Sequence, residues 1–287
     1  MKKAVIIGSG PAGISAALYL QRSGRAEVTV ISKGAGALAK AEKIENYYGF
    51  DEPLTGQELH DRGAAGARRL GVGFIEAEVV SLSFDDELRP VAVTDSGEYP
   101  ADVMLLATGA DRKTVNISGI KELEGRGVSY CAVCDAFFYR GKEVCVIGNG
   151  EYALHEAMVL ANTSFVTMLT NGQEPAVTVP ENIRVITKAL RSVDGESSVE
   201  GVTFTDGDKL SCSGVFIALG VAGSGDLARK VGAATENGRI QVAPDMSTTV
   251  PGLYAAGDCT GGTLQVFKAV YEGSVAGLSM INYLKNK

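Results

Sequence analysis

The sequence predicts an α/β protein built of two Rossmann-like dinucleotide-binding-type domains, the second inserted into the first. Two glycine loops and an internal echo carry that prediction. Lys3 to Ile7 reads as a short buried strand, Gly8-Ser9-Gly10-Pro11-Ala12-Gly13 follows, and Ile14, Ala17, Leu18 and Leu20 then recur at helical spacing. Strand, glycine loop and helix in this order place helix N-terminal N–H groups against an anion. The first glycine permits the tight turn, the second lets backbone approach a pyrophosphate, and the third lets helix pack on strand. The pattern recurs with the strand Glu143 to Ile147, the loop Gly148-Asn149-Gly150-Glu151-Tyr152-Ala153 and a helix continuing to Ala161. Each unit also has a later strand ending in glycine, Val103 to Ala107 before Thr108-Gly109 and Val215 to Leu219 before Gly220.

Near the C-terminus, Gly252-Leu253-Tyr254-Ala255-Ala256-Gly257-Asp258 is another strand ending in Gly-Asp, followed by a helix from about Leu264 to Leu284. It has no glycine loop of its own. The simplest topology returns it to the first domain, which gives 1–112 and 245–287 as the first domain and 113–244 as the insert.

Composition supports a globular chain. With 287 residues, 45% hydrophobic and 21% charged, there is ample material for a buried core, and 36 Gly without a period of three beside 8 Pro exclude collagen and low complexity. A net charge of −7 argues against nucleic acid or an anionic membrane as partner. Met1-Lys2-Lys3 precedes only four apolar residues, too few for a signal peptide, and no run reaches bilayer-spanning length. A cytoplasmic location is therefore expected.

Five Cys without a secretory signal invite a redox or metal reading. Cys131-Ala132-Val133-Cys134-Asp135 lies just upstream of the second glycine loop, and its spacing lets both sulfurs meet in one turn as a dithiol that cycles with a disulfide. Structural zinc is the rival reading. It wants four ligands, and the remaining candidates are Cys145, Cys212, Cys259, His60 and His155 with no second CxxC, so no metal site is assigned. Asp135 is placed to exchange a proton with a thiol, or is a solvated turn carboxylate. Cys145 and Cys212 sit in apolar strand contexts as small core residues, and His60 and His155 read as structural.

With these pieces in order the chain resembles the low-molecular-weight thioredoxin reductases along its whole length. The resemblance rests on Gly8-Ser9-Gly10-Pro11-Ala12-Gly13, Ile44-Glu45-Asn46-Tyr47-Tyr48-Gly49-Phe50, Ala107-Thr108-Gly109-Ala110, Cys131-Ala132-Val133-Cys134-Asp135 and Ala255-Ala256-Gly257-Asp258. It implies FAD held by Gly8, Gly10, Pro11, Ala12, Gly13, Asn46, Thr108, Gly109, Gly257, Asp258, Gln265 and Val266. It also implies that Cys134 faces the flavin, that Cys131 attacks thioredoxin, that Asp135 donates a proton and that the chain forms a homodimer.

Departures bear on the electron donor. Family members that use NADPH carry a His-Arg-Arg run after the second strand of the insert, whereas here Val166-Thr167-Met168-Leu169 is followed by Thr170-Asn171-Gly172-Gln173-Glu174. No basic residue is offered to a 2′-phosphate and no strand-end acid to a ribose. Glu151 and Tyr152 border the phosphate position, although a Tyr at a helix start is more often simple packing and a Glu there can be a capping or dipole interaction. The first domain departs too, its second strand ending at Ser32-Lys33 without the usual acidic ribose ligand. On this pattern NADPH is unlikely, and the chain looks like the flavin-dependent ferredoxin-thioredoxin reductases. Electron flow from a plant-type ferredoxin near about −400 mV to thioredoxin near about −270 mV is downhill by roughly 6 kcal/mol per two electrons. Arg62, Arg68 and Arg69, or Arg184, Lys188 and Arg191, are candidate docks for an acidic ferredoxin, with ordinary solvated faces as the alternative for each cluster. The alternatives kept open are an NADPH- or NADH-dependent thioredoxin reductase with an atypical grip, a diflavin disulfide oxidoreductase and a flavin redox sensor without turnover.

Overall fold

The apolar strand and glycine loop at the N-terminus form the first βα unit in the structure, a computed structural model that describes residues 1–109 and 117–287. Strand β1 is Lys2–Ile7, with its last four residues buried. Helix α1, Pro11–Ser23, starts on a proline and ends at Gly24 with φ 66°, a left-handed cap that glycine adopts without a Cβ penalty. Strand β2, Ala26–Ser32, runs parallel to β1 with Val30 opposite Ile6. Helix α2, Gly56–Arg69, opens with a capping box in which Thr55 Oγ1 accepts from Glu58 N and the Glu58 carboxylate accepts from Thr55 N. Strand β3, Gly73–Glu76, pairs parallel with β2. Strands β4 (Val79–Phe84), β5 (Pro90–Thr94) and β6 (Gly97–Pro100) make a separate antiparallel sheet, and β7, Val103–Leu106, then pairs with β1.

The second unit holds β8 (Val128–Ser129), the single turn α3 (Ala132–Asp135), β9 (Glu143–Ile147), α4 (Glu151–Ala161), β10 (Phe165–Leu169) and β11 (Arg184–Ile186). An antiparallel excursion β12 (Leu190–Asp194), β13 (Gly201–Phe204) and β14 (Lys209–Ser211) precedes β15, Gly214–Ile217. The parallel sheet has the order β11-β10-β9-β15-β8. Its buried core includes Cys145, Ile147, Leu169, Val215 and Ile217.

The chain then re-enters the first unit through α5 (Ser224–Lys230), β16 (Thr235–Glu236), β17 (Arg239–Ile240), β18 (Leu253–Ala255) and α6 (Val266–Asn286). The first sheet is β18-β7-β1-β2-β3. The two α/β units with parallel sheets are those expected from the glycine loops, and the expected return of the C-terminal strand is seen in β18 pairing parallel with β7. Contacts divide the described residues into 1–109 with 223–287, and 117–222. The second crossing thus falls at Gly223, and the expected boundary at 244/245 is corrected. The reason is local: Ser224 is buried and hydrogen-bonds Thr108 Oγ1 and Gly109 O, which ties α5 to the first unit. The first crossing, expected at 112/113, and Ala110 of the motif above lie outside the described residues.

Helices α1 and α6 pack with near backbone contact. A Cβ on Gly273 would stand 2.1 Å from Ala12 O, and one on Gly277 would stand 3.0 Å from Ala16 O. Both glycines are therefore packing requirements, and their effect is to fix the start of α6 relative to the start of α1.

Candidate functional site

In the first unit the glycine loop is shaped by close approach. Gly8 has φ 110°, and a Cβ there would meet Ala107 O at 2.3 Å; one on Gly13 would meet Gly8 O at 2.0 Å. Gly10 differs, since a Cβ there would meet nothing within 4 Å. Space therefore lies over the start of α1, where Gly10 is the N-cap without any side-chain cap and the first-turn N–H groups lack helical partners. Helix dipole and amide donors make this a position for an anion.

Gly257, φ 91°, would place a Cβ 3.0 Å from that of Ala12, so Gly257-Asp258 follows β18 directly beside α1. Thr108-Gly109 follows β7 on the other side of the same loop, a Gly8 Cβ being 3.2 Å from Thr108 N. Gln265 is the N-cap of α6 and Val266 its first residue. Thus Gly8, Gly10, Pro11, Ala12, Gly13, Thr108, Gly109, Gly257 and Asp258 are gathered at one end of the sheet. Asn46 stands apart, exposed on a loop closed by the Ile44–Leu54 bridge. The open glycine cradle and uncapped helix start fit the pyrophosphate of a dinucleotide such as FAD.

Sequence reasoning missed two supports of this cradle. Ser9 Oγ donates to Gly34 O at 3.1 Å and lies 3.1 Å from His60 Nε2, so His60 braces the glycine loop from α2. Glu272 Oε2 accepts from Gly257 N at 2.8 Å and Thr260 Oγ1 at 2.9 Å, with Lys268 Nζ 3.0 Å away and donating to Gly257 O. The Lys268/Glu272 spacing of four on one helix was the available signal.

In the second unit Cys131 and Cys134 form a disulfide, with Cα atoms 5.3 Å apart. Both sulfurs are bonded to each other, which removes them as zinc ligands in this state. Cys131 caps α3, and its Sγ accepts from Cys134 N at 3.2 Å. Asp135 Oδ2 accepts from Ser129 Oγ at 2.6 Å, and that oxygen accepts from Cys131 N at 3.1 Å. Cys131 is 4% exposed while Cys134 is exposed. Tyr152, expected to border a phosphate, is buried and its hydroxyl donates to Tyr130 O at 3.2 Å, bracing the strand that leads into the disulfide. Among the described residues no group of three or more His, Cys, Asp or Glu is placed to hold a metal ion.

The second glycine loop is tightly packed at Gly148, while a Cβ on Gly150 would meet nothing nearer than Gly220 O at 4.0 Å. A Gly148 Cβ would meet Ala218 O at 2.1 Å, Asn149 Nδ2 donates to Gln173 Oε1 at 2.7 Å, and Ala176 N donates to Asn149 O at 2.8 Å. Thr170 is buried and bonds Gln173 O, and Asn171 Oδ1 accepts from Leu190 N at 2.8 Å. The strand end therefore spends its polar groups within the unit. Of the basic residues considered as docks, Lys188 is paired with Asp206 and Asp208, and the Arg68 guanidinium lies 4.2 Å above the Phe74 ring. No helix among the described residues is long and apolar enough to cross a membrane.

A dinucleotide cradle on one unit and a disulfide turn ahead of a second glycine loop on the other define a two-unit disulfide oxidoreductase. Residues 2–273 match the pyridine nucleotide-disulphide oxidoreductase family, and the chain belongs to it. Among its relatives is the thioredoxin reductase of Bacillus subtilis (strain 168), 32% identical over 98% of this chain and 94% of that protein. Among solved structures, the atypical thioredoxin reductase TRi from Desulfovibrio vulgaris Hildenborough is 38% identical with a TM-score of 0.94, covering 100% of this chain and 99% of that one. A ferredoxin-flavin thioredoxin reductase from Clostridium acetobutylicum is 31% identical with a TM-score of 0.74, covering 100% and 99%.

Proposed function

We propose that this chain is a flavoprotein thioredoxin-disulfide reductase in which the Cys131–Cys134 pair carries electrons to thioredoxin. The observation that carries the reading is the disulfide itself, closed within one turn and held by Ser129 and Asp135. The cradle of Gly8, Gly10, Gly13, Thr108, Gly109, Gly257 and Asp258 would hold FAD, with Gln265 and Val266 at the start of α6 and Asn46 on its loop as further contacts. FAD, when bound, supplies the two-electron reductant that a disulfide requires.

The chain's own residues handle the sulfur chemistry. Breaking the S–S bond takes up two electrons and two protons and leaves two thiols. Loss of one proton gives the thiolate that attacks the disulfide of thioredoxin, and by family likeness that thiolate is Cys131. Asp135 is placed to hold and return the proton, and its bond to Ser129 fixes it beside the Cys131 backbone.

On the donor, family membership supports a pyridine nucleotide, and thioredoxin reductases among the relatives support the same chemistry. The expectation from the strand end that NADPH is unlikely therefore gives way to the alternative, a nicotinamide donor held by an atypical grip. A second reading, ferredoxin as donor, is favoured by one observation: Thr170 and Asn171 are engaged within the unit, and no basic residue lies between 170 and 176. Likeness to the ferredoxin-flavin enzyme of Clostridium acetobutylicum adds to it. Anaerobic addition of NADPH, NADH and then reduced ferredoxin, followed by flavin absorbance, separates them. Stoichiometric bleaching by a nicotinamide supports the first reading; bleaching by ferredoxin alone overturns it for the second. A homodimer is expected by resemblance, and sedimentation tests it.

A further inference from the structure

Glu156 is the most buried carboxylate of the second unit, 1% exposed on α4, and nothing in the reaction above uses it. Its Oε2 accepts from Ala132 N at 2.7 Å, the amide directly after Cys131. A buried carboxylate is costly unless it is bonded, and a bond to a backbone N–H favours its charged form. The carboxylate oxygen thus stands one peptide unit from a sulfur whose reactivity depends on becoming an anion, and a negative charge on it would act directly on that step.

We propose that Glu156 is a positioning residue that sets the redox equilibrium of the Cys131–Cys134 pair and the ease with which Cys131 ionises. The inference rests on the disulfide-reductase reading and deepens it. Two effects act in one direction. The hydrogen bond to Ala132 holds the turn in the geometry in which Cys131 caps α3 and the sulfurs meet, which favours the disulfide. The charge opposes a thiolate at Cys131, which disfavours the reduced pair. Both make the dithiol a stronger reductant. In the couple itself the disulfide plus two electrons and two protons gives two thiols; Glu156 exchanges neither electrons nor bonds in that change. The other titratable groups on α4 and the elements packed against it are Cys134 and Asp135 on α3, Glu151, Tyr152 and His155 on α4 itself, and Glu143 and Cys145 on β9, with Tyr130 just ahead of the pair. Asp135 is engaged by Ser129 and Tyr152 by Tyr130 O, which leaves Glu156 as the carboxylate bound to the turn's first amide.

The test uses the full chain equilibrated in mixtures of reduced and oxidised dithiothreitol, with thiols trapped and counted by mass spectrometry. Wild type is compared with Glu156→Gln, which keeps an acceptor for Ala132 N but no charge, and Glu156→Ala, which keeps neither. The rate of alkylation of the reduced pair is followed against pH. Glu156→Gln should move the equilibrium toward dithiol about tenfold, about 30 mV less negative, and shift the alkylation profile to lower pH. Glu156→Ala should move the equilibrium at least as far in the same direction. A role confined to packing would leave Glu156→Gln within twofold of wild type with an unchanged profile, and that result overturns the inference. A wild-type pair that dithiothreitol cannot reduce overturns the disulfide-reductase reading instead, and the inference with it.

Discussion

Ser129 and Asp135 are joined by a 2.6 Å hydrogen bond across the turn that carries the Cys131–Cys134 disulfide. The Ser129 hydroxyl has one proton, given to the carboxylate, and its oxygen takes the Cys131 N–H. Asp135 is thereby held to the backbone of the pair whose proton it would handle. Asp135→Asn should lower thioredoxin reduction by on the order of 10²-fold, and Ser129→Ala by less, because the serine acts only on position. Steady-state rates with thioredoxin check this, and a Ser129→Ala loss larger than that of Asp135→Asn would contradict it.

The glycine loop separates folding from binding. Gly8→Ala puts a Cβ into Ala107 O at a left-handed φ and should destabilise the first unit by more than about 2 kcal/mol. Gly10→Ala meets open space and should keep stability within about 0.5 kcal/mol while weakening FAD binding, because its methyl enters the room for the pyrophosphate. Urea unfolding and flavin-fluorescence titration measure the two effects.

The three free cysteines are all buried: Cys145, Cys212 and Cys259. Burial pushes the Cys259 thiol up to about 12, and its Sγ donates to Leu106 O and Ala256 O. The Cys145 thiol is raised as well, by its bond to Cys212 and by burial. Neither Cys259 nor Cys145 is a thiolate near neutral pH. The oxidised native protein should show no rapidly reacting thiol with a chromogenic disulfide reagent, three after unfolding, and all five cysteines after reduction as well.

Asp102 ties the N-terminal strand down, its Oδ2 accepting from Lys3 N at 2.8 Å with Lys2 Nζ 3.3 Å from Oδ1. Burial pushes its carboxyl up, but the Lys3 N–H and the Lys2 ammonium outweigh that and leave it below the ordinary aspartate value. A group lowered on folding adds stability above its unfolded pKa and loses it as pH falls through the folded one. Asp102→Asn should therefore cost about 1 kcal/mol at pH 7, with the gap to wild type closing below about pH 4. Urea midpoints at both pH values check the sign.

Much of the fold was legible because both parallel sheets announce themselves through glycine loops whose spacing is dictated by backbone contact at Gly8, Gly13 and Gly148. The disulfide was legible from spacing alone. The boundary at Gly223 was not, since α5 carries no glycine loop and its attachment depends on Ser224 meeting Thr108, a contact far apart in sequence. For Tyr152 the loop position left a phosphate border and simple packing both open, because the position was visible and the rotamer was not; the ring packs inward toward Tyr130. Glu156 was invisible for the same reason, as no local pattern says that a carboxylate on α4 reaches Ala132.

The central claim is that Cys131–Cys134 delivers electrons to thioredoxin. The direct measurement is a single-turnover transfer under argon: the pre-reduced protein, freed of excess reductant, is mixed with oxidised thioredoxin, and the thiols of both are counted. The account predicts two thiols gained on thioredoxin for each Cys131–Cys134 pair reoxidised, and none from a Cys131→Ser variant. Thioredoxin that stays oxidised beside a reduced pair, or equal transfer from Cys131→Ser, would contradict it.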